Sequence, residues 1–429
     1  MHMPQRPIPA PILTPAGTGW AGRLWQALQP QSWPVPPQRF PAGTALVGGA
    51  VRDGLLGRLP ERPDLDLVVP VDAIGLAREL QRQLGGTCVV LDRERSIARL
   101  VLRGWSLDLA RCEGETLDRD LRRRDFTVNA IALPLAEASS RAALVDPTGG
   151  LEDLAARRLV AVSEANLLAD PLRMLRGLRL AAELDFAVEP ATLGWICLHH
   201  ARLATVAGER VLAELERLAT ATHGGSGLQR VLATGLLRPW SEVEAPAGLP
   251  GLDREAAVRR GLDPAETAAA LRLARLSAVL DDRALATLPL SRRTELRCRQ
   301  LRRWIARLRQ QGVDRLEGLG EEERLALQQQ LEEDLPALLL HLEPAAARAA
   351  LERWRDHRDP LFHPRSPIDG ARLQQATGLR PGPRLGRLLH HLLRERAFGR
   401  LPEACDGGDT VVLAAARQWL AATEESRRD

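Results

Sequence analysis

Two hydrophobic periodicities meet near Leu151, and no other feature constrains the fold as much. Between residues 41 and 160 the apolar residues come in short runs bounded by glycine, proline and aspartate. Runs of this length and bounding read as strands. Strands are therefore expected at Ala45–Val47, Leu65–Val69, Thr87–Leu91, Ala98–Leu102 and Ser106–Ala110. Gly54–Leu56 and Ala73–Leu84 read as helix between them. Beyond Leu151 apolar residues recur every three or four positions to the end. Leu167–Leu184, Glu209–Thr220 and Glu266–Leu280 are each expected to be one helix. The fold class is α+β: a head built on a mixed sheet, then an all-helical neck, body and tail.

Turn-rich stretches divide this plan further. Residues 1–40 are rich in proline and read as an irregular lead-in with a short helix around Trp20–Leu28. The head runs over 41–157 and the neck over 158–225, ending at the Gly/Ser-rich stretch 222–227. The body covers 226–360, with breaks near 246–251 and 312–320. The tail covers 361–429, after the proline-rich stretch 359–367.

Composition excludes more than it proves. The 429 residues are 45% hydrophobic and 27% charged, ordinary for a globular chain, and no apolar run reaches the length of a membrane span. The N-terminus lacks the basic start and apolar core of a secretion signal. Cys88, Cys112, Cys197, Cys298 and Cys405 have no CxxC spacing, which points to reduced cysteines in a cytoplasmic protein. All 59 basic residues are arginine. Arginine suits phosphate, but a GC-rich genome also writes arginine for lysine, and the net charge of +4 makes no case for nucleic acid by itself.

One constellation carries chemistry. The run Leu46 to Val69 places a strand before Gly48-Gly49, a short helix bearing Arg52 after it, and Asp64-Leu65-Asp66 at the next strand. Glycines let backbone N–H groups approach phosphate oxygens, and a helix start favours an anion. Residues i and i+2 of a strand share a face, so Asp64 and Asp66 present two carboxylates together. Two such carboxylates suit magnesium, which takes one or two carboxylates plus substrate phosphates. A lone Gly-Gly or a lone DxD is commonplace; the order strand, Gly-Gly, helix, DxD, strand is not.

In this order the chain resembles the class II tRNA nucleotidyltransferases and the related bacterial poly(A) polymerases. Five stretches carry the likeness: Gly48 to Asp53 with Asp64 and Asp66; Arg123-Arg124-Asp125-Phe126-Thr127-Val128-Asn129-Ala130; Asp146-Pro147-Thr148-Gly149-Gly150 with Asp153-Leu154; Asp170-Pro171-Leu172-Arg173 with Arg176; and Glu209-Arg210-Val211 onward. The segment 367–386 resembles the family's C-terminal stretch.

The resemblance implies an enzyme that adds C or A, or both, to the 3′ end of a tRNA from CTP and ATP. Asp64 and Asp66 would hold two magnesium ions. Gly48, Gly49 and Arg52 would line the triphosphate, and Arg124, Asp125 and Asn129 would set ribose and phosphates. Asp170 and Arg173, with Arg176, would read the base; three apart on one helix, they would share a face. Asp108 is a candidate third carboxylate or an ordinary strand-edge acid. Two departures lean toward CC addition: the family's Glu-Asp is here Ala169-Asp170, and only residues 109–121 separate the Asp108 strand from the second motif. The alternatives are a poly(A) polymerase extending other RNAs and an RNA-binding protein without catalysis. Arginines between Arg292 and Arg309 would track RNA phosphates, although the acidic stretch 321–333 also fits a solvated surface. His390 and His391 read as structural or solvent-facing.

Overall fold

In the computed structural model the described residues are 19–135, 144–244, 248–402 and 408–425. Residues 1–18 of the proline-rich lead-in, and Cys405, lie outside them. The chain forms two compact units, Met1–Val211 with Thr234–Leu236, and Leu212–Ala233 with Leu237–Asp429.

The first unit is built on a six-stranded sheet of β1 (Ala45–Val47), β2 (Leu65–Val69), β3 (Thr87–Asp92), β4 (Ile97–Leu102), β5 (Trp105–Arg111) and β6 (Ala132–Pro134). Their order is β3-β4-β5-β2-β1-β6, with β2 and β5 parallel and every other pair antiparallel. The five expected strands stand within a residue of expectation; β6 was not foreseen. Alternation sorts the two faces. Leu65, Leu67, Leu107, Leu109 and Leu100 are fully buried on one face. The other face carries Asp66, Asp108 and Arg99 in register across β2, β5 and β4.

Helices α1 (Trp20–Leu28), α2 (Gly49–Leu55), α3 (Ala73–Leu84), α4 (Leu117–Arg122) and α5 (Gly150–Ala155) surround the sheet. Asp72 caps α3 by accepting from the N–H groups of Ile74 and Gly75. Helix α2 starts at Gly49 and ends at Leu55, so the reading of Gly54–Leu56 caught only its last turn. Beyond α5, a two-residue parallel ladder joins β7 (Arg158–Leu159) to β8 (Ala187–Val188), so this region is not purely helical.

The expected single helix over Leu167–Leu184 is two, α6 (Glu164–Ala169) and α7 (Leu172–Leu184). The break falls at Asp170-Pro171. Asp170 is extended (φ −141°, ψ 97°), and Pro171 leads directly into α7. Proline disfavours helical backbone at the residue before it and suits the start of the next helix. Helix α8 (Pro190–His199) completes this part.

The remaining helices are α9 (Gly208–Thr220), α10 (Gly224–Ala233), α11 (Arg254–Arg259), α12 (Pro264–Val279), α13 (Asp282–Thr287), α14 (Arg292–Gln311), α15 (Glu321–Leu331), α16 (Leu335–Leu339), α17 (Pro344–Arg355), α18 (Gly370–Thr377), α19 (Pro383–Ala397) and α20 (Gly408–Glu425). The Gly/Ser-rich stretch 222–227, expected as a break, opens α10. Its glycines are there for close packing: a Cβ on Gly224 would lie 2.3 Å from the Leu218 carbonyl oxygen, and one on Gly225 would lie 2.3 Å from that of Leu249. Both distances are far inside van der Waals contact. In the second unit His391 stacks on Trp419, with ring centroids 5.9 Å apart, and His390 faces Glu322, which agrees with a structural reading of the pair.

Candidate active site

Gly48 is the pivot of the site. Its backbone sits at φ 70°, ψ −135°, between β1 and α2. A Cβ there would lie 2.8 Å from Asp66 Oδ2. Conformation and space therefore both require glycine. Asp64 precedes β2 and is exposed; Asp66, on β2, is half-buried. Neither carboxylate accepts a hydrogen bond from the described residues.

Burial pushes the Asp66 carboxyl up to about 6, with Asp108 and then Asp64 adding to the rise and Arg124 and Arg176 opposing it. A half-buried carboxylate beside two others lacks positive charge, which a cation would supply. The donor set is hard oxygen on two neighbouring carboxylates, as magnesium prefers. Among the described residues no cluster of three or more His, Cys, Asp or Glu side chains is placed to hold a metal by itself.

Asp108, unlike Asp64 and Asp66, has an arginine partner of its own. Arg99 donates to both of its oxygens, from Nε and Nη2 at 2.7 Å each.

Arg124 supplies the cationic side of the site. Its Nη2 donates to Asp120 Oδ2 at 3.2 Å, and its Nε is buried without a partner among the described residues. Its Nη1 is 3.7 Å from the position a Gly48 Cβ would take. Arg52, by contrast, is nearly buried and committed within the chain. It donates to both oxygens of Asp53 and, from Nη1, to Asn129 Oδ1 at 2.7 Å. Asn129 Nδ2 in turn donates to Asp125 Oδ1 at 3.1 Å, and Arg176 Nε lies 3.2 Å from Asp125 Oδ2. Burial would raise the Asp125 carboxyl, but Arg176, the Asn129 amide, the Phe126 N–H and Arg173 together hold it below the usual range. Arg52, Asn129, Asp125 and Arg176 thus form one largely buried network, while Arg124 is held by Asp120.

The third motif shapes the turn into α5. Asp146 accepts from the N–H groups of Gly150 and Leu151 at 2.8 Å each, and Thr127 Oγ1 donates to Asp153 Oδ2 at 2.8 Å.

Asp170 and Arg173 do not share a helical face, because Asp170 stands outside α7. Asp170 Oδ1 accepts from the Leu172 N–H at 3.2 Å, and its Oδ2 pairs with Arg210 Nη2 at 2.9 Å. Arg173 Nη1 donates to the carbonyls of Arg123 and Asn166, at 3.0 Å each. Asn166 and Asp120 were not singled out from the sequence. Each looks like ordinary helix decoration, and neither carries a local signal of its role.

The short link between β5 and α4 is fixed in place. The Cys112 N–H donates to the Val69 carbonyl at 2.8 Å, and the Glu113 N–H donates to Asp120 Oδ1 at 3.2 Å. The Glu113 carboxylate pairs with Arg123 and, at 3.8 Å, with Arg95. Thr116 caps α4.

In the second unit, the arginines expected to track RNA meet the acidic stretch instead. Arg293 pairs with Glu333, Arg297 with Asp334, and Arg307 with Glu323. Arg299 pairs with Glu295 and Asp282, and Arg302 donates to the Ser277 carbonyl. Most of this stretch holds helices to one another rather than presenting free cations.

Known proteins resemble this chain over its head and, in one case, over nearly its whole length. Residues 44–160 match the family described as the poly A polymerase head domain, and residues 185–244 match the probable RNA and SrmB-binding site of polymerase A. The chain is 43% identical over 201 residues to a CC-adding tRNA nucleotidyltransferase of Synechocystis, covering 47% of each chain. It is 43% identical over 209 residues to an A-adding tRNA nucleotidyltransferase of Deinococcus radiodurans, covering 48% of this chain and 46% of that one. These matches span about half the length of those relatives. A CC-adding tRNA nucleotidyltransferase of Thermus thermophilus is 33% identical over 423 residues, covering 86% of this chain and 91% of the relative. In fold, the chain resembles the Thermotoga maritima CCA-adding enzyme complexed with tRNA, with a TM-score of 0.64 at 20% identity over 93% of this chain and 94% of that one. Among the described residues no helix is long and apolar enough to cross a membrane. On the strength of its head match and its near full-length relative, the chain belongs to the family of tRNA nucleotidyltransferases and bacterial poly(A) polymerases.

Proposed function

We propose that this protein transfers cytidylate, from CTP, onto the 3′ end of a tRNA and stops at CC. The observation that carries the reading is Asp66 lying against the Gly48 backbone, with Arg124 beside the same turn and Asp64 two residues before Asp66. Near full-length similarity to a CC-adding enzyme supports the nucleotide assignment. The pinned link between β5 and α4 and the absence of a glutamate before Asp170 support it further.

In this mechanism the tRNA 3′ hydroxyl attacks the α-phosphorus of the nucleotide and pyrophosphate leaves. Asp64 and Asp66 would hold two magnesium ions. When bound, magnesium makes the attacking hydroxyl more acidic and neutralises the leaving pyrophosphate. Gly48 and Gly49 let the triphosphate approach the backbone. Arg124, whose Nη1 faces the Gly48 turn, holds phosphate oxygens. Arg52, Asp125, Asn129 and Arg176 keep Arg124 and the ribose site in place. Asp170 and Arg173 read the base edge through the donors and acceptors left after their contacts with Arg210 and the Arg123 carbonyl. We assign the head to 41–157, the neck to 158–225, the body to 226–360 and the tail to 361–429, and place the work in the cytoplasm.

The test is Asp64→Ala. Addition should fall by about three orders of magnitude or more, as loss of transition-state charge stabilisation implies, while tRNA binding in a filter assay stays within about two-fold. Undiminished addition would sink the assignment.

A further inference from the structure

One side chain ties the expected phosphate-holding arginine to the expected base-reading arginine. Asn166 lies in α6, whose cap, Ser163 Oγ, accepts from the Asn166 N–H at 3.1 Å. The side-chain amide of Asn166 points away from α6 toward α4. Its Nδ2 donates to the carbonyls of both Arg122 and Arg124, at 2.8 Å each. The carbonyl between them, that of Arg123, accepts from Arg173 Nη1, and the same nitrogen donates to the Asn166 carbonyl. Three consecutive carbonyls at the end of α4 are thus held by Asn166 and Arg173. Helix ends leave such carbonyls unsatisfied unless a side chain or water takes them.

We propose that Asn166 is a positioning residue for nucleotide binding. This proposal rests on the reading above that Arg124 meets the triphosphate and Arg173 the base. The two protons of one amide nitrogen set the carbonyl on either side of Arg123, and so fix the backbone from which the Arg124 side chain departs. Arg124 then reaches past Asp120 to the Gly48 turn and Asp66. The Asn166 backbone carbonyl meanwhile holds Arg173 at the neck side. Any shift of residues 122–124 therefore moves phosphate grip and base reading together, which is the coupling a selective nucleotide site needs. The amide is half-buried and its partners are all backbone atoms, so a change of side chain there leaves the hydrophobic core untouched.

The test is a double-mutant cycle in CTP affinity, measured by calorimetry with magnesium and no tRNA. Asn166→Asp keeps the shape but cannot donate, and turns negative charge toward two carbonyls. It should weaken CTP binding about ten-fold in the otherwise native protein, and by less than about two-fold in an Arg124→Gln background, since coupled residues are non-additive. Asn166→Gln, which keeps the donors, should recover part of the loss. The discrimination between CTP and UTP should fall with the affinity, and the melting temperature should move by only a few degrees, as for a surface hydrogen bond. Equal losses in both Arg124 backgrounds, unchanged CTP affinity, or a loss that tracks the melting temperature would overturn the proposal, as would a native protein that binds no CTP. A native protein that binds CTP, shows the coupling, but adds nothing to tRNA would leave the positioning role standing and remove the addition reading instead.

Discussion

Asp66 and Asp108 are in register on the parallel strands β2 and β5, yet they have opposite fates: Arg99 grips both oxygens of Asp108, while Asp66 accepts no hydrogen bond from the described residues. A single neighbour on β4 therefore distinguishes the two acids. Asp108→Asn should lower addition by less than about ten-fold, the scale of one partly exposed ion pair. A third metal ligand would show a loss of several orders of magnitude in the same single-turnover measurement.

The Gly48 turn offers a sharper test of the site. Gly48→Ala places a methyl 2.8 Å from Asp66 Oδ2 at a φ of 70°. Left-handed backbone in a non-glycine residue costs about 1–3 kcal/mol. Urea unfolding should register that cost, and addition should fall by two orders of magnitude or more, because a displacement of ~1 Å at a reacting group has that effect. Native-like activity would mean that Asp66 does not work from this position.

Much of the head was legible because its signals are local. The strand Leu65–Val69 sits between Pro63 and Pro70, and α3 begins at the aspartate that caps it. What the sequence hid depends on neighbours distant in the chain. Asp170 and Arg173 have helical spacing, but Pro171 begins a new helix and leaves Asp170 outside it. The glycines at 224 and 225 read as a linker until the carbonyls of Leu218 and Leu249 are seen against them. Asn166 gives no signal at all, because its side chain bonds to two carbonyls more than 40 residues upstream.

Arg275 is expected to control the stability of the second unit. It is 1% exposed and pairs with no carboxylate among the described residues; it donates to the carbonyls of Leu252, Ala219, Ala221 and Thr222. Burial lowers its pKa to about 10, so it stays charged at neutral pH. Arg275→Met should destabilise that unit by about 2–4 kcal/mol, from several lost charge-assisted hydrogen bonds. Arg275→Lys should recover little, since an ammonium lacks the planar fork. Guanidinium unfolding followed by tryptophan fluorescence would show a low-denaturant transition in both variants.

Acid should weaken the same unit through His341. Burial, with Arg309 and Arg260 nearby, lowers its pKa from 6.5 to about 4, and its Nε2 has no partner among the described residues. The unfolded chain then binds the extra proton between those values. The contribution is complete above pH 6.5 and is lost as pH falls toward 4. Thermal unfolding of His341→Leu should therefore depend less on pH between 6.5 and 4 than that of the native protein. Parallel curves would contradict the assignment.

The most direct test of the central claim is nucleotide addition read at single-nucleotide resolution. Purified protein and magnesium would be mixed with tRNA transcripts ending at the discriminator base, at C, or at CC, with CTP, ATP or both. The account predicts two additions to the first transcript, one to the second and none to the third, with ATP unused. Completion to CCA, addition of A to the CC-ended transcript alone, or long A tails on unrelated RNA would each contradict it.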